Sequence, residues 1–187
     1  MLEYLILGTA LLFFVLINGG VFLWAMSVLG SWRAPYVPLP HEVLSGVVRA
    51  LAIKADLVVY DIGCGDGRIL RACAAKEPQA HYKGIDRAWY PIILARLCGK
   101  EKHISYVHAD ALKQKYQDAD RIVLYLLPGF VDKVAKKLEQ ECKPGTRIVA
   151  VDFPITFWKP KEVIEQTHLP KHLRGRMMYI YEISETP

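Results

Sequence analysis

A chain of 187 residues has room for one domain of ordinary size. Its 24 Lys and Arg against 19 Asp and Glu give a formal net charge of +5, a surplus too diffuse to argue for a nucleic-acid partner. The four cysteines, Cys64, Cys73, Cys98 and Cys142, form no C-x-x-C pair and neighbour no histidine pattern. Neither a metal site nor a disulfide framework is indicated, in keeping with a reducing compartment.

Residues 4–32, YLILGTALLFFVLINGGVFLWAMSVLGSW, carry no charged side chain. The run exceeds the roughly 20 apolar residues needed to cross a bilayer, so residues 1–32 are expected to form one transmembrane anchor. A cleaved signal peptide would begin with a basic segment and end in small residues. This terminus instead reads Met1, Leu2, Glu3, and the run ends with Trp24, Met26 and Trp32. The third reading, a buried core helix, is disfavoured by the length. Glu3 precedes the span and Arg33, Arg49 and Lys54 follow it. The positive-inside rule therefore places the rest of the chain on the cytoplasmic side of a single-pass membrane protein. Because Glu3 is the only charge before Arg33, that remainder holds 24 basic and 18 acidic side chains. Such a balance suits anionic lipid or an acidic partner.

Residues 33–40 read as a proline-rich linker, since three prolines in the APYVPLP run cannot continue a helix. A domain at 41–187 follows. Residues 41–53 place Val43, Leu44, Val47, Val48 and Leu51 on one helical face. Val58, Val59 and Tyr60 then fit a buried parallel strand, and the apolar spacing from Arg68 onward fits a helix. Between them, D-x-G-x-G-x-G at Asp61, Gly63, Gly65 and Gly67 forms a strand-to-helix turn. Without a Cβ, such a turn can approach a ligand closely. Its spacing differs from the G-x-G-x-x-G fingerprint, whose helix N-terminus receives a pyrophosphate, so it suits a cofactor lacking one. A glycine turn without any ligand is the plain alternative. Cys64 reads either as a small residue filling the loop or as a reactive thiol.

A second strand is expected over 80–86. It ends in Asp86, 25 positions after Asp61, near the separation at which α/β nucleotide folds place a ribose-binding carboxylate. The alternative is an acid capping the next helix, 89–97. Residues 103–107 give a third strand, 120–128 a fourth, 130–142 an amphipathic helix and 147–153 a fifth strand. Two further strands over 163–166 and 177–183, around a loop at 168–175, close the sheet with an antiparallel pair.

The sequence resembles the class I S-adenosylmethionine-dependent methyltransferases, whose first motif has the form of DIGCGDG at 61–67. The resemblance implies an α/β, Rossmann-like sheet, mostly parallel, with an antiparallel strand near the C-terminus and here one N-terminal transmembrane helix in front. It implies S-adenosyl-L-methionine as cofactor. Asp61, Gly63, Cys64, Gly65 and Gly67 would hold it together with Asp86, and the HAD stretch brings Asp110, followed by Ala111, to the adenine side. His108 reads as structural.

Methyl transfer from a sulfonium gains mostly from alignment and the exclusion of water, so no conspicuous dyad is required. Strand four ends in LYLLP, not in the Asn- or Asp-Pro-Pro-aromatic tetrapeptide of amino-methylating nucleic-acid and glutamine enzymes, nor in the Pro-Cys of cytosine C5 enzymes. It offers Tyr125, and the next strand end offers Asp152, Phe153 and Trp158. Aromatic rings and a carboxylate suit a cationic amine that must lose its proton before attacking, with lysine the natural candidate. Tyr125 and Asp152 are the expected catalytic residues, although Asp152 can instead hold a turn and Phe153 and Trp158 can be core.

Together, PYVPLP at 35–40, LYLLPG at 124–129 and KPGTRIVAVDFPITFWKP at 143–160 resemble the small prokaryotic lysine methyltransferases and their mitochondrial relatives that modify inner-membrane proteins such as the ring-forming c protein of ATP synthase. In that branch a proline-rich stretch lies over the cofactor, which makes Tyr36 and Pro38 candidates. Tyr36 as a linker aromatic is the alternative. Arg87, where many relatives have a small or polar residue, alters the rim. The expected partner is a membrane-associated protein substrate, with no nucleic acid and no metal. Methylation of a membrane-dissolved quinone or lipid, and a non-catalytic assembly factor, stay open.

Overall fold

The structure, a computed structural model, describes residues 1–30, 36–99 and 101–184. Trp32 and linker residues 33–35, on which part of the anchor and orientation expectation rests, lie outside the described residues. The first helix, α1 (Leu2–Gly30), contains a 20-residue stretch, Ile6–Ala25, that is long and apolar enough to cross a membrane and none of which is buried. It is therefore not the core helix of the domain that follows.

The domain opens with α2 (His41–Leu51) and is built on β1 (Val58–Ile62). Four further elements follow in βα alternation: α3 (Arg68–Lys76), β2 (His81–Asp86), α4 (Trp89–Cys98) and β3 (Ile104–His108). The chain then crosses back through a short 3-10 turn (Ala111–Lys113) to β4 (Arg121–Leu124), α5 (Pro128–Glu141) and β5 (Arg147–Val151). It ends with β6 (Glu162–Glu165) and β7 (Met177–Glu182). Among the described residues, seven strands lie in the order β3-β2-β1-β4-β5-β7-β6, the first five parallel and β7 antiparallel to both neighbours. The mostly parallel α/β sheet with a C-terminal antiparallel pair is thus as the sequence pattern implies. Parallel neighbours need helical crossovers, and these cover both sheet faces.

Alternation along β1 sorts the core. Val59 faces a layer with α2, α3 and α4, whereas Tyr60 and Ile62 face the layer with α5. Two boundaries differ from the sequence pattern. Pro128 takes the first turn of α5, where its missing N–H costs nothing, so the strand expected over 120–128 stops at Leu124. The strand expected to reach residue 153 stops at Val151, because Asp152 turns into the left-handed region at φ 62°. Since β2 and β4 lie on opposite sides of β1, the strand order reverses between β1 and β4. A crevice therefore opens at their carboxyl ends.

Candidate active site

A cavity of about 390 Å³ fills that crevice. Its floor is the glycine turn. Gly63 N and Cys64 N both donate to Ile85 O, at 2.8 and 3.1 Å, which pins the turn to the end of β2. Gly65, at φ 55°, is where the absence of a side chain matters most: a Cβ there would lie 2.7 Å from Cε2 of Tyr36. Tyr36 therefore lies directly over the turn, and burial, reinforced by Asp66, pushes its hydroxyl pKa up to about 12. The linker it belongs to is fastened by Arg68, whose Nη1 donates to Leu39 O at 2.7 Å while its Nε and Nη2 grip Asp66. Burial disfavours the charge on Asp66, but this guanidinium outweighs it and holds the carboxyl below its ordinary range.

Asp86 lines the cavity, and both of its oxygens are engaged by backbone. Its Oδ1 accepts from Ala88 N at 2.8 Å, at the start of α4, and its Oδ2 accepts from Gly65 N at 2.9 Å. A carboxylate so engaged still has lone pairs for further donors. Burial raises its pKa, against the pull of those two backbone N–H groups. Asp110 also lines the cavity, its Oδ1 accepting from Leu112 N at 3.0 Å, with Ala111 beside it. Arg87 lines the rim. Its carbonyl is bonded to His108 Nε2 at 2.8 Å.

Asp61 and Gly67 stand behind this surface and do not line the cavity. Gly67 caps α3 against the Tyr106 ring, whose hydroxyl a Cβ would approach to 2.5 Å. Asp61 is 1% exposed, and among the described residues neither of its oxygens has a hydrogen-bond partner. Burial, then the charges of Asp86 and Asp66, push its carboxyl well above the usual range. Cys64 is buried within the turn, and burial raises its thiol pKa, which disfavours the reactive thiolate.

At the opposite wall Tyr125, Asp152 and Phe153 line the cavity, as expected, and Pro38 closes the linker side. Asp152 Oδ2 accepts from Gly175 N at 2.6 Å. That bond draws the loop between β6 and β7 over the site and brings Arg174 to the wall. Gln166 holds the same loop, donating through Nε2 to Gly175 O and to Val43 O. Burial raises the Tyr125 pKa, Asp152 adds to the shift and Arg174 opposes it, so the phenol keeps its proton at neutral pH. Trp158 does not join them. It packs against Tyr181 and Phe157 and donates to Glu139 Oε1 at 3.0 Å, away from the cavity. Asp66, Arg68, Leu126, Phe130 and Arg174 also line the cavity, although the sequence pattern does not single them out. Arg68 directly follows the last glycine, a position that marks it. Nothing local marks Arg174.

A profile of the ANTKMT methyltransferase domain matches residues 61–162, more than half of the chain. The chain belongs to this family. A protein-lysine N-methyltransferase of Saccharolobus islandicus (strain REY15A) is 31% identical over 157 residues, which cover 82% of this chain and 96% of that one. The adenine nucleotide translocase lysine N-methyltransferase of Mus musculus is 27% identical over 159 residues, 76% of this chain and 66% of the mouse enzyme. Among solved structures, an RNA methyltransferase from Salinibacter ruber in complex with S-adenosyl-L-homocysteine superposes with a TM-score of 0.72 at 28% identity, covering 81% of this chain and 96% of that one.

As a member of the family the chain is an S-adenosylmethionine-dependent methyltransferase, and its residues fit the cofactor. The turn at Gly65 is a cradle that a single Cβ would obstruct, Asp86 presents a carboxylate beside it, and the orphaned Asp61 carboxyl lies behind it.

Proposed function

We propose that this chain is a membrane-anchored protein-lysine N-methyltransferase, with residues 1–32 as a single-pass anchor, 33–40 as linker and 41–187 as a catalytic domain on the cytoplasmic side. The observation that carries the reading is the position of Tyr36. It lies over the cofactor turn, while the apolar helix ends at Gly30. Six residues of chain reach at most about 21 Å, so the site works close to the bilayer. The names of the relatives point to lysine, and the mouse enzyme is named for a lysine of the adenine nucleotide translocase.

In this reading Asp86 holds the ribose hydroxyls, Gly63, Cys64 and Gly65 offer backbone to the methionine side, Asp110 and Ala111 face the adenine, and Asp61 and Gly67 support the turn from behind. When bound, the cofactor supplies an electrophilic methyl group on a sulfonium. The chain's own part is to receive a lysine and present its nitrogen. Asp152 attracts the incoming ammonium, and the protonated Tyr125 offers an oxygen lone pair to its N–H. The ammonium gives up its proton to water at the cavity mouth, and Leu126, Leu127, Phe130 and Phe153 then exclude water from the inner wall, so that the unprotonated nitrogen attacks in alignment. Arg174, also at the wall, disfavours the charged form of the amine that must lose its proton.

The test is transfer of labelled methyl from the cofactor by the purified full chain to detergent-solubilised membrane proteins, followed by mass spectrometry for lysines heavier by one to three methyl groups. Label is expected on lysine and lost in Gly65→Arg. Label in lipid extracts or RNA with none on protein, or transfer unchanged by Gly65→Arg, overturns the assignment.

A further inference from the structure

One helix of the domain is apolar on the outside as well as the inside. α4 turns Pro91, Ile92 and Ala95 to the core, yet Ile93 is 43% and Leu97 67% exposed. Four residues apart, these two share one face. Trp89 and Tyr90, their rings 6.4 Å apart and nearly perpendicular, are partly exposed at its N-terminal end, and Val107 of the adjoining edge strand β3 is 39% exposed. The charges around this face are one-sided. Residues 87–100 contain Arg87, Arg96 and Lys100 and no acid, with Glu101 and Lys102 following. Arg87 and Lys102 are exposed, while Arg96 is exposed but spends donors on Tyr106 O. Finally, α1 approaches α4 at a few residues.

A short helix with exposed aliphatic residues, an aromatic end and basic flanks has the composition of an interfacial element. We propose that α4 seats on the anionic headgroup surface of the bilayer as a second membrane contact, with Ile93 and Leu97 below the headgroups and Arg87 and Lys102 among them. The proposal rests on the reading of α1 as a span. A second copy of the chain fits less well. Two aliphatic side chains and a valine fall short of the roughly 1,200 Å² that a stable interface buries, and self-pairing would set basic flank against basic flank. Because Arg87 and Ala88 also line the cavity, this seating brings one side of its mouth to headgroup level. An acceptor lysine just outside the hydrocarbon would meet it there.

Cys98, at the end of α4, is exposed while Cys64, Cys73 and Cys142 are buried, so a thiol-directed nitroxide or fluorophore reports on α4 in the otherwise native full chain. In vesicles of equimolar phosphatidylcholine and phosphatidylglycerol, the Cys98 label is expected to contact lipid and to be shielded from an aqueous quencher. The double substitution Ile93→Asp with Leu97→Asp should lift it into water, since losing two apolar side chains lowers the seated population about a hundredfold. A parallel label at Phe13→Cys in a Cys98→Ser background reports on α1. If Phe13→Cys lies in the hydrocarbon and Cys98 stays in water, the α4 contact is wrong and the anchor stands. If both stay in water, both readings fall. Efficient Cys98 to Cys98 cross-linking in the vesicles assigns the face to a second copy and overturns the lipid contact.

Discussion

Replacing Asp61 with asparagine should stabilise the cofactor-free domain while weakening the cofactor, and the size of the first effect should depend on pH. Asp61 is 1% exposed at the end of β1, with both oxygens unpartnered among the described residues, and burial together with Asp86 and Asp66 raises its pKa well above the ordinary value. A raised carboxyl means that, above the unfolded pKa of about 3.9, the folded state keeps a proton that the unfolded chain has released. Stability contributed by this group is therefore present at low pH and lost as pH rises toward the folded pKa, at up to about 1.4 kcal/mol per pH unit. Asparagine carries no such proton. The difference in unfolding free energy between Asp61→Asn and the wild type should be small near pH 4, grow in favour of the mutant with that slope, and level off above the folded pKa. Asp66, Asp118, Asp120 and Glu182 are shifted the other way by Arg68, Lys83, Lys143 and Lys161 respectively. The contributions of Asp118, Asp120 and Glu182 are common to both proteins and cancel in the difference, while Asp66, whose charge bears on Asp61, is part of it. Urea unfolding of the full chain in detergent at several pH values reads it directly. Calorimetry with S-adenosyl-L-homocysteine should show affinity reduced about tenfold, because the substitution alters the polar group packed behind the turn. A flat difference across pH, or a mutant less stable than wild type at neutral pH, would show that the carboxylate is partnered and the reasoning wrong.

Gly65→Ala adds a left-handed strain of about 1 kcal/mol and a Cβ 2.7 Å from Tyr36. Calorimetry should show cofactor affinity down about tenfold, partly restored when Tyr36→Ala removes the obstruction; wild-type affinity in the single mutant refutes the cradle. Tyr125→Phe should lower kcat by about tenfold, the loss of one hydrogen bond to the amine, with the cofactor Kd unchanged, as measured by methyl transfer and calorimetry side by side, and an equal loss in both would move Tyr125 out of the catalytic role. Gly175→Ala, at φ 85° and with a Cβ 2.4 Å from Leu39 and 2.8 Å from Val43, should destabilise the domain by about 2 kcal/mol or more, seen as a lower denaturation midpoint.

Arg174 and Trp158 show where local reading stops. Trp158 follows a strand end and carries the right chemistry for a rim residue, yet its ring turns to Tyr181 and its N–H to Glu139. Arg174 sits in an ordinary polar loop and reaches the cavity only because β7 returns antiparallel beside β5 and Asp152 binds Gly175. Neither outcome has a counterpart in spacing or composition, since both depend on pairings across many residues.

By itself, the sequence determined the features set by local chain physics. An uncharged run makes a bilayer-length helix, alternating glycines make a turn of repeated positive φ, and apolar periods separate strand from helix, so the parallel sheet, the cofactor turn and Asp86 at the end of β2 were all legible. Only the tertiary structure decided that Tyr36 lies over Gly65, that Asp61 is buried without a partner, and that Arg174 rather than Trp158 joins Tyr125 at the cavity wall. These follow from how distant segments pack and register against one another, and a local pattern holds no record of that.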